Sequence, residues 1–477
     1  MFQKIKKTHI VYLLIISLII SFLFSTQIKI VLRNNIPADI YQRMSFIKKL
    51  VLNQDYGFHK YERIIANRYT EIKDFIYNEN VIFELNKDLK LINNKRFDIY
   101  KVPPIFPAIR GHEVNTAYID KYQENLIYAT KNGIFFKINL SDTRYKMIPV
   151  KSNLTNFFVT TQREKNASIN YFNSNTISKF GVKDIFIDSQ NIYLSYIEEF
   201  NQDGYNISVL KAKFSDSLIF KSLFSSKNYI SSNYKEFYPI QSGGRIVNFR
   251  KDSILLSIGE FRDRLKAQDI ESDNGKIISI NKYNGGRRII SMGHRNPQGL
   301  DYDPINDNIV STEHGPNGGD EINFNHDLNI INNFGWPISN YGYHYGEQNA
   351  INDSHYADNT RVVKGAPLYN SHSDYGFVEP IKYWMNNPAV SEVKFINNTN
   401  DYSEFFVSTL GYDTINRPFA QHLIRYKYNL QDKSLNLIEK YYVGERVRDL
   451  IFDKDLNSII YTGESSGVIG IFPLQKD

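Results

Sequence analysis

The alternation of hydrophobic and polar positions divides the chain into three stretches. Every residue from Ile10 to Phe24 is apolar or hydroxylated, and Ile28 to Leu32 extend the run past a short polar step, giving 23 positions from Ile10 to Leu32. A helix needs about 20 residues to cross the hydrocarbon of a bilayer, so residues 1–32 read as a membrane helix. Lys4, Lys6 and Lys7 precede it, and a basic flank holds that end in the cytoplasm, which exports the remainder. A secretory signal peptide shares this charged start and apolar middle. Ser25-Thr26-Gln27 makes a poor small-x-small cleavage site, so an uncleaved anchor is expected ahead of secretion after cleavage. In either case the bulk of the chain lies on the periplasmic or extracellular side. Over residues 33–94, Ile47, Leu50 and Val51, then Ile64, Ile65, Ile72 and Phe75, recur among charges at helical spacing. This stretch is expected to form a helical juxtamembrane collar or spacer.

Residues 95–477 carry a different period. An apolar strand, an Asp- or Asn-bearing turn and a second apolar strand recur, usually followed by a third strand after Gly or Asn. The copies start at Tyr118-Ile119-Asp120, Asp184-Ile185-Phe186, Arg245-Ile246-Val247, Leu300-Asp301-Tyr302, Val393-Lys394-Phe395 and Asp449-Leu450-Ile451. Short strands at this period without helical patterns between them predict an all-β, six-bladed β-propeller, in which the closed ring supplies the core that no single blade can make. A set of β-sandwiches is the competing architecture. The fourth interval is the longest and carries an irregular polar insertion at about 330–390, and long loops on a rigid scaffold are where function usually sits.

Composition narrows the chemistry. The 477 residues are 42% hydrophobic and 23% charged, which is ordinary for a folded protein. The absence of cysteine excludes disulfides, zinc-thiolate sites, iron–sulfur clusters and a cysteine nucleophile. The 34 Tyr and 32 Phe favour pleated, half-buried surfaces. A net charge of +6, spread thinly, gives no nucleic-acid footprint, which needs clustered Lys and Arg.

The candidate chemistry gathers around the fourth repeat. His294-Arg295-Asn296-Pro297-Gln298-Gly299 leads into it, and Glu313-His314-Gly315-Pro316-Asn317-Gly318-Gly319-Asp320-Glu321-Ile322-Asn323 follows its second strand. Gly-Pro-x-Gly-Gly forces an irregular turn that leaves backbone carbonyls without ladder partners. Carbonyls beside Asp320 and Glu321 make an oxygen-rich site suited to a hard cation, Ca²⁺ before Mg²⁺. On the residues alone, carboxylates that cap backbone amides in a blade-connecting loop are an equal alternative.

These two motifs resemble those of the soluble, pyrroloquinoline quinone (PQQ)-dependent glucose and aldose sugar dehydrogenases, the glucose/sorbosone dehydrogenase family. The likeness continues in Trp384-Met385-Asn386-Asn387-Pro388-Ala389-Val390-Ser391, Arg446-Val447-Arg448-Asp449 and Glu464-Ser465-Ser466-Gly467, and spans roughly residues 177–474. It implies a six-bladed propeller, an aldose or similar sugar as substrate, and a cofactor with three carboxylates, which guanidinium groups grip bidentately. Arg446 and Arg448 would hold carboxylates, and Arg295 and Asn296 would meet the polar edge of PQQ. The carbonyls of Gly315 and Pro316 would present Ca²⁺ to the quinone as a Lewis acid. Asp320 and Glu321 would brace that loop or hold a second ion.

Three positions depart from the pattern. The family's base histidine lies four residues before the arginine of a Gly-Arg-(Leu/Ile)-Val strand, a position held here by Gln241. A carboxamide has no usable basicity, and loss of a positioned base typically costs about 10²- to 10⁴-fold in rate. A cofactor-binding glutamine falls on Lys179, and a cofactor-binding lysine on Gly411. Lys179 offers a positive charge in partial compensation; a histidine of the insertion, His344, His355 or His372, is a weaker candidate for a replacement base. Three readings follow: a Ca²⁺-dependent quinoprotein with an altered base, a propeller that binds carbohydrate or protein without turnover, or a carboxylate hydrolase on the same scaffold. No Gly-x-Ser-x-Gly elbow or dinucleotide fingerprint supports the last. Intact-mass analysis of protein extracted from membranes checks the N-terminus. The anchor reading expects the segment from Met1 to Leu32 to be retained, and a mature chain starting near Gln27 would replace it with a cleaved signal.

Overall fold

The computed structural model describes residues 69–103, 116–154, 157, 181–200, 204–226, 228–231, 237–343, 366–411 and 414–474. The expected membrane helix, residues 33–68 of the collar, Lys179, His344 and His355 lie outside them. No helix among the described residues is long and apolar enough to cross a membrane.

The described residues from Thr70 onward belong to one compact unit built on six sheets whose successive blade strands are antiparallel. The inner strands are Ala117–Tyr122 (blade 1), Val182–Ile187 (blade 2), Gly243–Phe249 (blade 3), Pro297–Asp303 (blade 4), Val390–Asn398 (blade 5) and Val447–Asp453 (blade 6). Each touches the next in cyclic order, with blade 6 returning to blade 1. All six repeat starts read from the sequence fall on these strands, so the expected propeller is the observed fold. Apolar side chains from facing sheets fill the gaps between blades; Phe135, Leu194 and Phe220, for example, share one fully buried cluster between blades 1 and 2.

The chain's two ends close the ring together. Blade 6 runs Val447–Asp453, Ser458–Gly463 and Val468–Pro473, then continues outward with Lys95–Lys101 and Asn86–Ile92. The propeller therefore begins before residue 95, and the helical expectation for residues 33–94 is corrected at this end. The described helix is Tyr69–Asn78, and Phe83–Glu84 pairs with the outer strand of blade 1. The physical reason is a two-residue hairpin: Ile92 pairs with Lys95, and Asn93 and Asn94 take φ of 50° and 62°, the left-handed pair that a type I′ turn requires and Asn tolerates. The helix also presents a different face from the expected one, burying Ile76 and Tyr77 and leaving Phe75 61% exposed.

The insertion lies within blade 4. The blade's third strand, Asp320–Asn325, pairs with an outer strand, Lys382–Trp384, contributed by the far end of the insertion. Asn332–Asn333, inside the insertion, adds to the edge of blade 3.

An inner strand has a ladder partner on one side only, so its other edge needs acceptors. The neighbouring blade supplies them as carboxylates. Asp449 accepts from the Ile119 amide, Asp120 from Ile187, Asp184 from Ile246, Asp301 from Phe395 and Glu392 from Leu300. Arg245 neutralises this ring from the axis, with Nη1 at 3.2 Å from Asp184 and 2.9 Å from Asp449, and Nε at 2.8 Å from Glu392. Its guanidinium also lies 5.4 Å from the ring centre of Tyr118. Lys394 adds a second cation beside Glu392 and Asp301. Burial pushes Asp120 and Asp184 up to about 7, while their partners hold Arg245 well above its ordinary value. Removing one partner of a buried ion cluster typically costs about 3–5 kcal/mol. Arg245→Met is therefore expected to lower the urea midpoint by a corresponding amount, and a midpoint within error of the parent would remove the ring from its structural role.

Candidate functional site

One end of the ring collects the loops that precede inner strands and those that follow second strands. Gln241 precedes blade 3's inner strand, Arg295 and Asn296 precede blade 4's, and Arg446 and Arg448 flank the first residue of blade 6's, Val447. Glu260, Glu313-His314, Gly411 and Glu464 lie at the ends of the second strands of blades 3, 4, 5 and 6. The topology therefore brings the sequence-predicted residues to one face, Lys179 excepted as undescribed.

Arg295 is the hub of this face. Its amide donates to Glu313 Oε2 at 2.8 Å, its Nη1 to the His314 carbonyl at 2.8 Å, and its guanidinium carbon lies 5.3 Å from the ring centre of Trp336. Glu313 is itself oriented by His294, 3.1 Å from Oε1, and by the Asn323 amide at 2.7 Å. Asn296 accepts from the Gly243 amide and from Gln298, which ties the Arg295 loop to blade 3. Gln241 is buried against Arg295 and Glu260. With its amide oriented to satisfy both neighbours, its oxygen accepts from Arg295 Nη2 at 2.9 Å and its nitrogen donates to Glu260 Oε1 at 2.6 Å.

His314 donates from Nε2 to the Val390 carbonyl at 2.6 Å, which leaves Nδ1 unprotonated in the neutral ring. Burial, reinforced by Arg295, Arg448 and Arg446, pushes its pKa down to about 3. Burial and the positive charge of these three guanidinium groups keep the His314 ring neutral near neutral pH.

Arg446 and Arg448 share a single buried carboxylate. Glu464 Oε1 accepts from Arg446 Nη2 at 2.9 Å and Arg448 Nη2 at 3.0 Å, and Oε2 accepts from Arg448 Nε at 2.9 Å. Thr116 of blade 1 adds a hydroxyl to Oε2 at 3.0 Å, and Arg446 Nη1 also reaches the Leu410 carbonyl of blade 5. Although burial opposes ionisation, the two arginines hold the Glu464 carboxyl down at about 2. One carboxylate orients two guanidinium groups and leaves the trio with a net positive charge.

The glycine-rich turn is braced as a unit. Asp320 accepts from the Gly315 amide at 3.1 Å and the Ala389 amide at 2.8 Å, and Asn387 donates to the Pro316 carbonyl at 3.0 Å. Gly318 and Gly319 take φ of 86° and 73°, and a side chain at Gly315 would collide with the Gly318 and Gly319 carbonyls. Glu321 is engaged by Asn340 at 2.7 Å and Asn323 at 3.3 Å, with His372 Nε2 at 3.5 Å. Among the described residues, no group of three or more acidic or histidine side chains is arranged to hold a metal ion. Asp320 braces the loop through the Gly315 and Ala389 amides. A cation at this turn would depend on the carbonyls of Gly315 and Pro316.

The residues of this face fit a planar polycarboxylate in part. Arg295, Arg446 and Arg448 supply the positive charge that such a group needs. Gly411 does not: a Cβ there would stand 2.6 Å from that of Ala420 and 2.8 Å from the Pro388 carbonyl, so the backbone has closed over the place where the resemblance expects a lysine. Glu260 and the Glu464 clamp were not singled out as functional from the sequence. Their signal is the repeat itself, since Gly259-Glu260 and Gly463-Glu464 follow equivalent strands.

The fold and this face define a six-bladed propeller with three oriented guanidinium groups at one end. The chain belongs to the Glucose / Sorbosone dehydrogenase family, whose profile matches residues 159–470. The aldose sugar dehydrogenase YliI of Escherichia coli K12 is 29% identical over 230 residues, covering 45% of this chain and 55% of that protein. The chain spans about half the length of the curated relatives it matches. The crystal structure of the soluble aldose sugar dehydrogenase of Escherichia coli in its apo form superposes with a TM-score of 0.54 at 18% identity, over 81% of this chain and 99% of that one. The PQQ-bound form of the aldose sugar dehydrogenase from Streptomyces coelicolor does so with a TM-score of 0.50 at 13% identity, over 79% and 98%. At these identities the structural likenesses show the fold.

The Glu464 clamp makes a signed prediction. Its carboxyl has a lower pKa folded than unfolded, so its stabilisation is present above about pH 4.5 and disappears as pH falls through about 2. Glu464→Gln is expected to cost about 3 kcal/mol at pH 7, from 1.36 kcal/mol per pKa unit, with the deficit shrinking in acid. A deficit independent of pH, measured by urea unfolding across that range, would contradict the assignment.

Proposed function

We propose that this chain is an exported, membrane-anchored sugar dehydrogenase that binds PQQ on the electropositive face and oxidises an aldose or similar alcohol with Ca²⁺ assistance. The observation that carries this reading is the grouping of three oriented guanidinium groups at one end of the ring, Arg295 fixed by Glu313 and the His314 carbonyl, and Arg446 and Arg448 by Glu464. Such a cluster suits a small tricarboxylate and has little use for a neutral ligand alone. Arg446 and Arg448, oriented by Glu464, would hold carboxylates; Arg295 and Asn296 would meet the polar edge of the ring system. The carbonyls of Gly315 and Pro316 would hold the cation, with Asp320 and Asn387 fixing their turn. When bound, PQQ supplies an ortho-quinone that accepts two electrons from the substrate.

A second reading, a propeller that binds carbohydrate or protein without turnover, is favoured by two observations: Gln241 occupies the base position, and the backbone at Gly411 leaves no room for a side chain. Titration of the purified protein with PQQ, with and without Ca²⁺ and followed by visible absorbance, tests both readings. Calcium-dependent binding followed by bleaching on addition of an aldose is the expected outcome. Binding without bleaching under any sugar would select the non-catalytic reading, and no binding at micromolar PQQ would exclude the cofactor. Arg446→Ala is expected to weaken PQQ binding at least tenfold, since a charge-assisted hydrogen bond contributes about 1.5–3 kcal/mol.

A further inference from the structure

Glu260 is a fully buried carboxylate that has no part in the set of residues proposed to hold PQQ and the cation. Two residues after blade 3's second strand, Ser253–Ile258, it sits directly behind Gln241. Its amide donates to the Arg295 carbonyl at 3.0 Å, and its Oε1 accepts from the Gln241 amide at 2.6 Å. Its Oε2 is buried, and the Arg262 backbone amide lies beside the carboxyl. Gly259 permits the approach, since a Cβ there would stand 2.4 Å from the Gln241 carbonyl. A fully buried carboxyl beside Arg295 and Gln241, its ionised form disfavoured by burial, is the kind of group that concentrates where a site uses it.

We propose that Glu260 is the proton acceptor of this site, reached when the Gln241 amide turns off its carboxylate. The inference rests on the dehydrogenase reading above. Gln241 occupies the position expected of the base but carries no basic atom; Glu260 lies one hydrogen bond behind it, beside the same Arg295. Turning the amide releases two hydrogen bonds and opens Oε1 on the Arg295 side. The step balances as loss of the alcohol's hydroxyl proton to Glu260 and of the adjacent carbon's hydrogen, with its electron pair, to an ortho-quinone acceptor, leaving a C=O bond. The charged groups that face Glu260 are Arg295, from the loop before blade 4, and Arg264 and Arg262, from its own loop. Burial outweighs them and raises the carboxyl to about 7, the range in which a base is both available and effective near neutral pH.

The test uses the full chain, its Glu260→Gln and Glu260→Asp variants, and Gln241→His/Glu260→Gln. PQQ binding is read by absorbance without sugar, aldose-driven reduction is read between pH 5 and 9, and carboxyl protonation is read by infrared difference spectra of the cofactor-free protein. Glu260→Gln is expected to bind PQQ within about threefold of the parent and to lose about 10²- to 10⁴-fold in reduction rate, together with the parent's rise in rate through about pH 7. Glu260→Asp keeps a titrating acid set back by one methylene, with a lower rate and a retained pH dependence, and Gln241→His/Glu260→Gln recovers rate. In the cofactor-free parent, a protonated-carboxyl band that fades through about pH 7 and is absent from Glu260→Gln is expected. PQQ binding with a Glu260→Gln rate equal to the parent's would overturn this inference alone. Failure of the parent to bind PQQ would overturn the dehydrogenase reading and this inference with it.

Discussion

The propeller depends on the carboxylates at the inner edge of its blades. An inner strand is an edge strand, and in a closed ring its free edge faces the axis, where water is scarce and unmet amides are costly. Here one blade's carboxylate accepts a neighbouring blade's amide at four of the six junctions: 6 to 1, 1 to 2, 2 to 3, and in both directions between 4 and 5. This arrangement crowds acids that Arg245 and Lys394 only partly neutralise, so some of them hold protons near neutral pH. Arg245 joins this network to the Tyr118 ring, and the candidate chemistry lies in the loops at one end.

Those loops inherit their precision from the same strands. Arg245 donates to the Arg448 carbonyl at 2.6 Å, so the axial cluster reaches the strand that carries two of the three site guanidinium groups. The three are set by different devices: Arg295 by Glu313, the His314 carbonyl and Trp336, and Arg446 and Arg448 by Glu464. Positive charge held this rigidly is poised for an anion whose carboxylates match the fixed directions. The face is more constrained around Gln241 and Gly411, where the chain departs from its family's pattern. Gly411 is closed by packing, whereas Gln241 opens onto a second titratable group.

Much of this was legible in the sequence. The six inner strands announced themselves because each repeats an apolar run at a steady interval, often with an acid such as Asp120, Asp184 or Asp449, and those acids proved to be the inter-blade acceptors. The loop motifs named the right face because Arg295, His314 and Asp320 occupy short, contiguous stretches. Pairings made by distant segments were hidden. Asn86–Ile92 alternates Lys and Leu among charges and reads as a spacer until the Asn93-Asn94 turn folds it onto the C-terminal blade. Glu464 was visible as part of a motif, but its double pairing with Arg446 and Arg448 depends on the geometry of adjacent strands. Glu260 belongs to no motif and becomes visible only when blades 3 and 6 are aligned strand for strand.

The central claim is that Arg295, Arg446 and Arg448 together hold one planar tricarboxylate above the glycine-rich turn. The most direct test is a crystal structure of the protein grown with PQQ and Ca²⁺. The account predicts PQQ carboxylates within about 3 Å of Arg446 and Arg448, the usual span of a charge-assisted pair, with Ca²⁺ on the carbonyls of Gly315 and Pro316. PQQ bound elsewhere, or this face empty with the Glu464 clamp unchanged at saturating PQQ, would contradict it.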